Sequence, residues 1–410
     1  MKPPSCRLCG AKLNRSLVDL GETPLANAYV TPQQAARGED RCYPLHARVC
    51  DSCLLVQVDE VVAADTIFSR YAYFSSCSSS WVAHARGYAN AMIERFRLGP
   101  DSLVIEVASN DGYLLQHFQA ASIRVLGIEP AANVAEAAIA RGIPTEVAFF
   151  NAETAMQIAA QHGRADLVAA NNVLAHVPDL FGFAAGFAGI LRPHGVVTFE
   201  FPHLLNLIDQ VQFDTIYHEH YSYLSLMVVE RVLRSVGLRT FDVERLATHG
   251  GSLRVFACHP RAPYPTRTSV KGVRLLETAA GLDCPERYER FAPRVCAAQS
   301  GFRDFIAERV QAGRQIAAYG AAAKGNTFLN SCGITVREIA CVADRNPEKQ
   351  GRLLPGSHVP IVAPEVLLAH PPDDLLILPW NLTTEISAEL RTLRDAGTSF
   401  WAARPFVEQV

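Results

Sequence analysis

Four apolar runs in the middle of the chain leave little freedom in how it folds. LVIEVA (103–108), VLGIEP (125–130), the start of DLVAANNVLAHV (166–177) and VVTFEF (196–201) are strand-like, and stretches such as YLLQHFQAA (113–121) between them have helical character. Strands alternating with helices are joined by right-handed crossovers, which predicts a parallel, doubly wound, Rossmann-like α/β sheet. A second α/β series follows a long polar helical stretch from about Glu286 to Gly313. It consists of QIAAYG (315–320), EIACVAD (338–344) and DLLILPW (374–380), with the helical TTEISAELRTLRDAG behind them. Ahead of both, residues 1–68 read as short strand-like pieces broken by turns, too poor in periodic apolar residues to build much core alone. The expected order is an N-terminal module (1–68), a central sheet domain (69–262) and a smaller C-terminal α/β domain (263–410).

Composition narrows the function classes. Hydrophobic residues make up 49% of the 410 and charged residues 19%, the balance of an ordered chain. Lys and Arg total 38 against 41 Asp and Glu, so no basic excess points to nucleic acid. The tempting apolar run from Leu180 to Leu191 has 12 residues, too few to cross a bilayer. The opening MKPPSCRLCG offers no secretory apolar region. A soluble cytoplasmic protein without nucleic-acid or membrane partners is expected.

In a reducing compartment clustered cysteines bind metal or do chemistry more often than they form disulfides. Of 11 cysteines, four form Cys-x-x-Cys pairs: Cys6 with Cys9, and Cys50 with Cys53. Two such pairs place four thiolates around one ion, and a soft, tetrahedral set of four sulfurs favours Zn2+. The 40 residues between the pairs exceed the usual ribbon gap, but a hairpin can fill them. Cys42 and His46 lie close enough in sequence to replace a ligand. Four sulfur ligands leave no open position, so the zinc is read as structural.

The turn SNDG (109–112) leaves the first central strand where open α/β sheets bind ligands. It lacks the G-x-G-x-x-G of a dinucleotide site, and Gly112 alone suits a cofactor without a pyrophosphate. Glu106, Ser109, Asn110, Asp111 and Gly112 are therefore read as meeting S-adenosyl-L-methionine. Glu129 at the end of the second strand is placed for its ribose, and Asn171 and Asn172 end the strand after that. NAD stays open, because an acid at that position serves both cofactors. The densest cluster of functional side chains is IYHEHYSYLS (216–225), with Tyr217, Glu219, His220 and Tyr221. His is best matched to proton transfer near neutral pH. His218 and His220, on one face of a strand, would also suit a metal. His176 sits on the same ligand edge. The hydroxyl-rich YAYFSSCSSS (71–80), with Tyr71, Tyr73, Ser75 and Ser76, suits sugar or phosphate, or a helix cap. Lys324, in a Gly-Ala-rich turn into a helix, could meet a phosphate. Asn326, Asp344 and Arg345 complete the expected substrate contacts.

The set CRLCG with CDSC, YAYFSSCSSS, VIEVASNDGYLLQHF, NNVLAHVPD, YHEHYSYLS, GGSLRVF, YGAAAKGNTFLN and VADRNPEKQGRLLPGSHVPI resembles the zinc-containing, S-adenosylmethionine-dependent sugar C-methyltransferases. These methylate C-3 of nucleotide-linked 4-keto deoxysugars. The resemblance spans about Cys6 to Pro379. It implies a zinc module, a methyltransferase domain, and a C-terminal domain that helps hold a nucleotide-linked, in the first instance dTDP-linked, substrate. It also implies active-site roles for Tyr73 (or Tyr71), His176, Tyr217, Glu219 and His220, with His220 as base and Glu219 holding its imidazole. The family often has Asp where this chain has His218. Two other readings stay open: an NAD-dependent nucleotide-sugar oxidoreductase or epimerase, and a zinc-ribbon interaction protein with a degenerate methyltransferase domain. The sugar, the nucleotide and the oligomeric state, monomer included, are not fixed by the sequence.

Overall fold

The computed structural model describes residues 4–69, 74–403 and 406–410. Its centre is a seven-stranded sheet. The spatial order is Arg239–Leu246, Ser252–Cys258, Leu191–Pro202, Ala165–Asn171, Leu103–Val107, Arg124–Ile128 and Thr145–Glu146. The last five run parallel and the first two close one edge as an antiparallel hairpin. Every residue of Leu103–Val107 is buried, as expected of a parallel strand covered on both faces. The strand at the start of DLVAANNVLAHV ends at Asn171, ahead of His176 as expected. Asn172 takes a left-handed φ of 52°, and a short 3-10 turn, Leu174–His176, follows.

The C-terminal sheet has six strands, ordered Ile361–Val362, Val342–Ala343, Ile316–Tyr319, Asp374–Ile377, Ser399–Ala403 and Val407–Gln409, all parallel but the last. The long helical stretch is interrupted, as Glu286–Glu289 and Phe291–Gln311. Pro293 has no N–H to continue the ladder through Glu289, so the helix restarts there.

The N-terminal sheet pairs Arg15–Pro24, Cys42–Val49 and Val56–Val58 antiparallel, and its fourth strand, Ser222–Tyr223, comes from the other side of the sequence. Residues 216–221 form no strand, and His218 and Glu219 lie in a turn closed by His220 N–H on the Tyr217 carbonyl. The picture of His218 and His220 on one strand face is therefore corrected. This sheet shares its cores with its neighbours. Leu17, Leu45 and Val56 pack in one cluster with Phe213, Phe302 and Phe328. Cys50 and Leu55 join the cluster of Ile105 and Phe199.

The turn Thr248–Gly250 brings the C-terminal module against the central sheet. Gly250 has φ +84°, and a Cβ there would collide with the Trp380 ring and the Gln212 amide. Gly250→Ala should therefore destabilise the protein by more than about 1 kcal/mol, read as a lower denaturant midpoint.

Candidate active site

The two Cys-x-x-Cys pairs sit on matching knuckles. Gly10 N–H donates to the Cys6 carbonyl and Leu54 N–H to that of Cys50, both at 2.8 Å, with Gly10 and Leu54 at left-handed φ. All four Sγ atoms lie within 4.8 Å of one another. Gln57 Nε2 donates to Cys6 Sγ at 3.2 Å. Hydrogen bonds from Cys53 and Gln57 pull the Cys6 thiol below its ordinary range. An all-sulfur, pre-folded set fits zinc. Cys42 is exposed, and His46 bonds Ser16 Oγ at 2.8 Å. Neither joins the cluster, so the expectation that they could replace a ligand is corrected. Among the described residues this is also the only such cluster, and His218 with His220 forms none.

A cavity of about 420 Å³ opens at the carboxyl ends of the central strands, closed by the C-terminal module through Ala322, Lys324, Lys349 and Asn381. At its central end Asn110, Glu129, Asn171 and Asn172 border an apolar slot that includes Ile128, Phe149 and Phe183. Glu129 accepts the N–H groups of Asn110 and Ala131 at 2.9 Å each, which fixes the crest of the sheet. Burial pushes its carboxyl up while these two bonds pull it down. Asn171 Oδ1 and both amide atoms of Asn172 are buried without partners among the described residues. Orphaned amides beside an apolar slot and a strand-end carboxylate fit an adenosyl ligand, because each unpaired group gains a hydrogen bond when it binds.

Other expected cofactor contacts stand behind the wall. Glu106 is fully buried, and burial holds its carboxyl well above the usual range. Ser109 packs against Gly127, and Gly112 (φ +79°) lies under Ile143. Asp111 binds Arg141 at 3.0 Å and accepts from Ser76 Oγ, so both Asp111 and Ser76 act as a clamp on the segment after residue 73. Ser75 does line the cavity, its N–H held by Asn110 Oδ1 at 2.8 Å. Tyr71 and Tyr73 lie outside the described residues.

Tyr217, His220 and His176 line the cavity together. His220 Nδ1 lies 2.9 Å from the Thr215 carbonyl, which can only accept, so this nitrogen carries the proton. Nε2 then presents its lone pair to the Tyr217 hydroxyl, 2.9 Å away. The His176 and His220 rings meet edge to face at 4.6 Å. The His176 ring bonds the Glu219 backbone, and its Nδ1 has no partner. Burial pulls His176 down to about 4 and His220 well below 6.5, so both are neutral at neutral pH. The Glu219 carboxylate does not hold the His220 imidazole. Both its oxygens accept from Asn27 Nδ2, at 2.7 and 2.9 Å.

Several expected substrate contacts serve the fold instead. Tyr221 donates to the Val62 carbonyl and lies under Arg7. His218, read only as a possible metal ligand, meets the Pro44 carbonyl at 3.2 Å. Asn326 donates to the Ala26 carbonyl, Asp344 accepts Ala321 N–H, and Arg345 pairs with Glu389. Lys324 remains in the cavity wall, 3.4 Å from Asn381 Oδ1 and over the Trp380 ring, its ammonium weakened by burial. Wall residues that escaped the sequence reading include Asn27, Trp81, His249 and Lys349. Of these, Lys349 lies within VADRNPEKQG and His249 immediately precedes GGSLRVF, while Asn27 and Trp81 lie in no quoted motif.

Against known proteins, the chain is 37% identical over 395 residues to the C-methyltransferase NovU of Streptomyces niveus, covering 96% of this chain and 94% of that one. Residues 6–68 match a family described as a zinc-binding domain, 81–243 a methyltransferase domain, and 247–405 a C-methyltransferase C-terminal domain. Among solved structures, a magnesium protoporphyrin IX methyltransferase from Synechocystis with bound S-adenosylhomocysteine aligns at TM-score 0.35 and 14% identity, over 43% of this chain and 83% of its own. An S-adenosylmethionine-dependent methyltransferase from Anabaena variabilis aligns at 0.35 and 15%, over 44% and 86%.

Two outcomes are expected. Elemental analysis should find one zinc per chain, lost in Cys50→Ser together with protease resistance of residues 1–68, because the metal supplies folding energy that the small module lacks. His176 and His249 are both depressed from 6.5 to about 4, so the unfolded chain binds more protons between those values. Stability should be full above about pH 6.5 and fall as pH drops toward about 4, with a shallower fall in His249→Asn, read from thermal midpoints.

Proposed function

The chain belongs to the S-adenosylmethionine-dependent C-methyltransferases that carry a zinc-binding domain, and from that premise we propose that it methylates C-3 of a nucleotide-linked 4-keto deoxysugar. The observation that carries this reading is the Tyr217–His220–His176 group at the floor of a cavity closed by Lys324 and Lys349. Bound S-adenosylmethionine would supply an electrophilic methyl group on its sulfonium. Glu129, with Asn110, Asn171 and Asn172, would hold it in the apolar slot.

A C-4 ketone acidifies the adjacent C-3 hydrogen by delocalising charge onto oxygen. His220 Nε2 takes that proton, and the Thr215 carbonyl keeps the ring in the tautomer that leaves this nitrogen free. Before that transfer Tyr217 turns its O–H from Nε2 to the C-4 carbonyl oxygen, which bares the lone pair and leaves a donor on the oxygen that becomes the enolate, a role typically worth about 3–4 kcal/mol. Burial keeps Tyr217 a phenol, its pKa held well above 10. His176 offers a lone pair at Nδ1 rather than a proton, so it suits a substrate hydroxyl and is the alternative base. Lys324 and Lys349 would meet the diphosphate. Zinc stays remote from this chemistry. The division into modules at 1–68, 69–262 and 263–410 belongs to the same proposal.

A panel of nucleotide 4-keto sugars with labelled cofactor tests the reading. Label at C-3 of the product is expected; label only at another carbon, or none, would overturn it. With S-adenosylhomocysteine in place of the methyl donor, the enzyme should exchange the C-3 hydrogen with deuterated water. His220→Asn should lose exchange and methylation by roughly 10²–10⁴-fold. Retained exchange in His220→Asn, with loss in His176→Asn, would move the base to His176.

A further inference from the structure

The segment bearing Tyr217 and His220 is held from one side by the N-terminal module. His218 meets Pro44, Arg7 donates to the Tyr221 carbonyl, and Ser222 and Tyr223 pair with Gln57 and Val56. At Glu219 the holder is Asn27, which also lines the cavity. The chain around Asn27 is fastened on its other side to the C-terminal module. Tyr29 Oη lies 3.2 Å from Asn27 Oδ1 and 2.7 Å from the Ala321 carbonyl, and Lys349 Nζ reaches that same carbonyl at 2.8 Å. Asn326 Nδ2 donates to the Ala26 carbonyl at 3.3 Å, and Val30 bridges to Leu353. Residues 26–30 thus bind the catalytic segment and the cavity's C-terminal wall at once.

We propose that Asn27, supplied by the zinc-binding module, is a positioning residue of the reaction: its bond to Glu219 fixes the Tyr217–His220 pair relative to the wall that holds the nucleotide end of the substrate. This rests on the roles given to Tyr217 and His220 above. An amide is required here. It donates to a buried carboxylate, which alanine would leave without that donor and aspartate would repel. The Glu219 charge in turn helps keep the neighbouring Tyr217 protonated, as a donor must be. Remote binding of the nucleotide end is then transmitted to the reacting carbon through one loop.

Asn27→Ala should lower kcat by about 10²-fold, the typical effect of a misplacement near 1 Å, with KM for the cofactor and zinc content unchanged. Asn27→Asp should fall at least as far. Adding Glu219→Gln to Asn27→Asp exchanges donor and acceptor and should recover about tenfold over either single variant, as expected of coupled neighbours. A kcat for Asn27→Ala close to wild type, a parallel loss of cofactor affinity or zinc, or no recovery in the exchanged pair would each overturn the proposal. If the wild-type enzyme methylates none of the keto sugars, the functional reading fails instead. Amide hydrogen exchange over residues 217–223 then decides for Asn27 without substrate. Faster exchange in Asn27→Ala, with the central strands unchanged, supports the positioning role, and unchanged exchange removes it.

Discussion

The structure depends on one strand pairing, that of Val56–Val58 with Ser222–Tyr223. It makes a piece of the segment bearing Tyr217 and His220 the fourth strand of the zinc module's sheet, so neither is complete without the other. The metal enters this arrangement indirectly. Gln57 donates from its side chain to Cys6 and accepts the Arg7 N–H, while its backbone pairs with Ser222. A module of 68 residues whose apolar side chains are shared with two neighbouring cores cannot settle its geometry alone. Zinc and the strand pairing set it together.

Burial then decides the electrostatics. His176, His220 and His249 are each shifted below 6.5, with desolvation the largest cause in every case. In the proposed reaction, a base weakened this way would stay unprotonated but pull less strongly on a C–H bond, so stabilisation of the developing oxyanion would have to carry much of the work. The geometry is consistent with that division, since Tyr217 stands against the imidazole that would act on its substrate neighbour. A polar mesh of Glu200 with His84, Arg254 and Thr248 underlies the same wall. There two partners outweigh the burial and hold Glu200 at about 2.

The crest of the central sheet shows how backbone strain is placed. Ala108, Asn110 and Asn172, all cavity residues, take left-handed φ values of 57°, 49° and 52°. Such conformations cost free energy and persist only where surroundings over-determine them. Here the Glu129 carboxylate does so, by accepting Asn110 N–H.

Much was legible in the sequence because it is local. Periodicity marked strand-like runs at 103–108, at 125–130 and from 166, and strands form there as Leu103–Val107, Arg124–Ile128 and Ala165–Asn171, since a parallel strand covered on both faces must be apolar throughout. The Cys-x-x-Cys spacing fixed the metal set, since each pair is a knuckle that closes on itself. SNDG, NNVLAHVPD and YHEHYSYLS marked the edge at which the cavity opens, since strand ends in an open α/β sheet all face it. What each side chain does there was decided only by the tertiary structure. Glu219 stands next to His220 in sequence yet turns to Asn27, 192 residues away. Asp111 turns to Ser76 and Arg141, and Asn326 to Ala26. Asn27 carries no motif, because its meaning lies in a carboxylate and a tyrosine that only folding brings beside it. A hydrogen bond depends on atoms within about 3 Å of one another, and adjacency in sequence does not supply that.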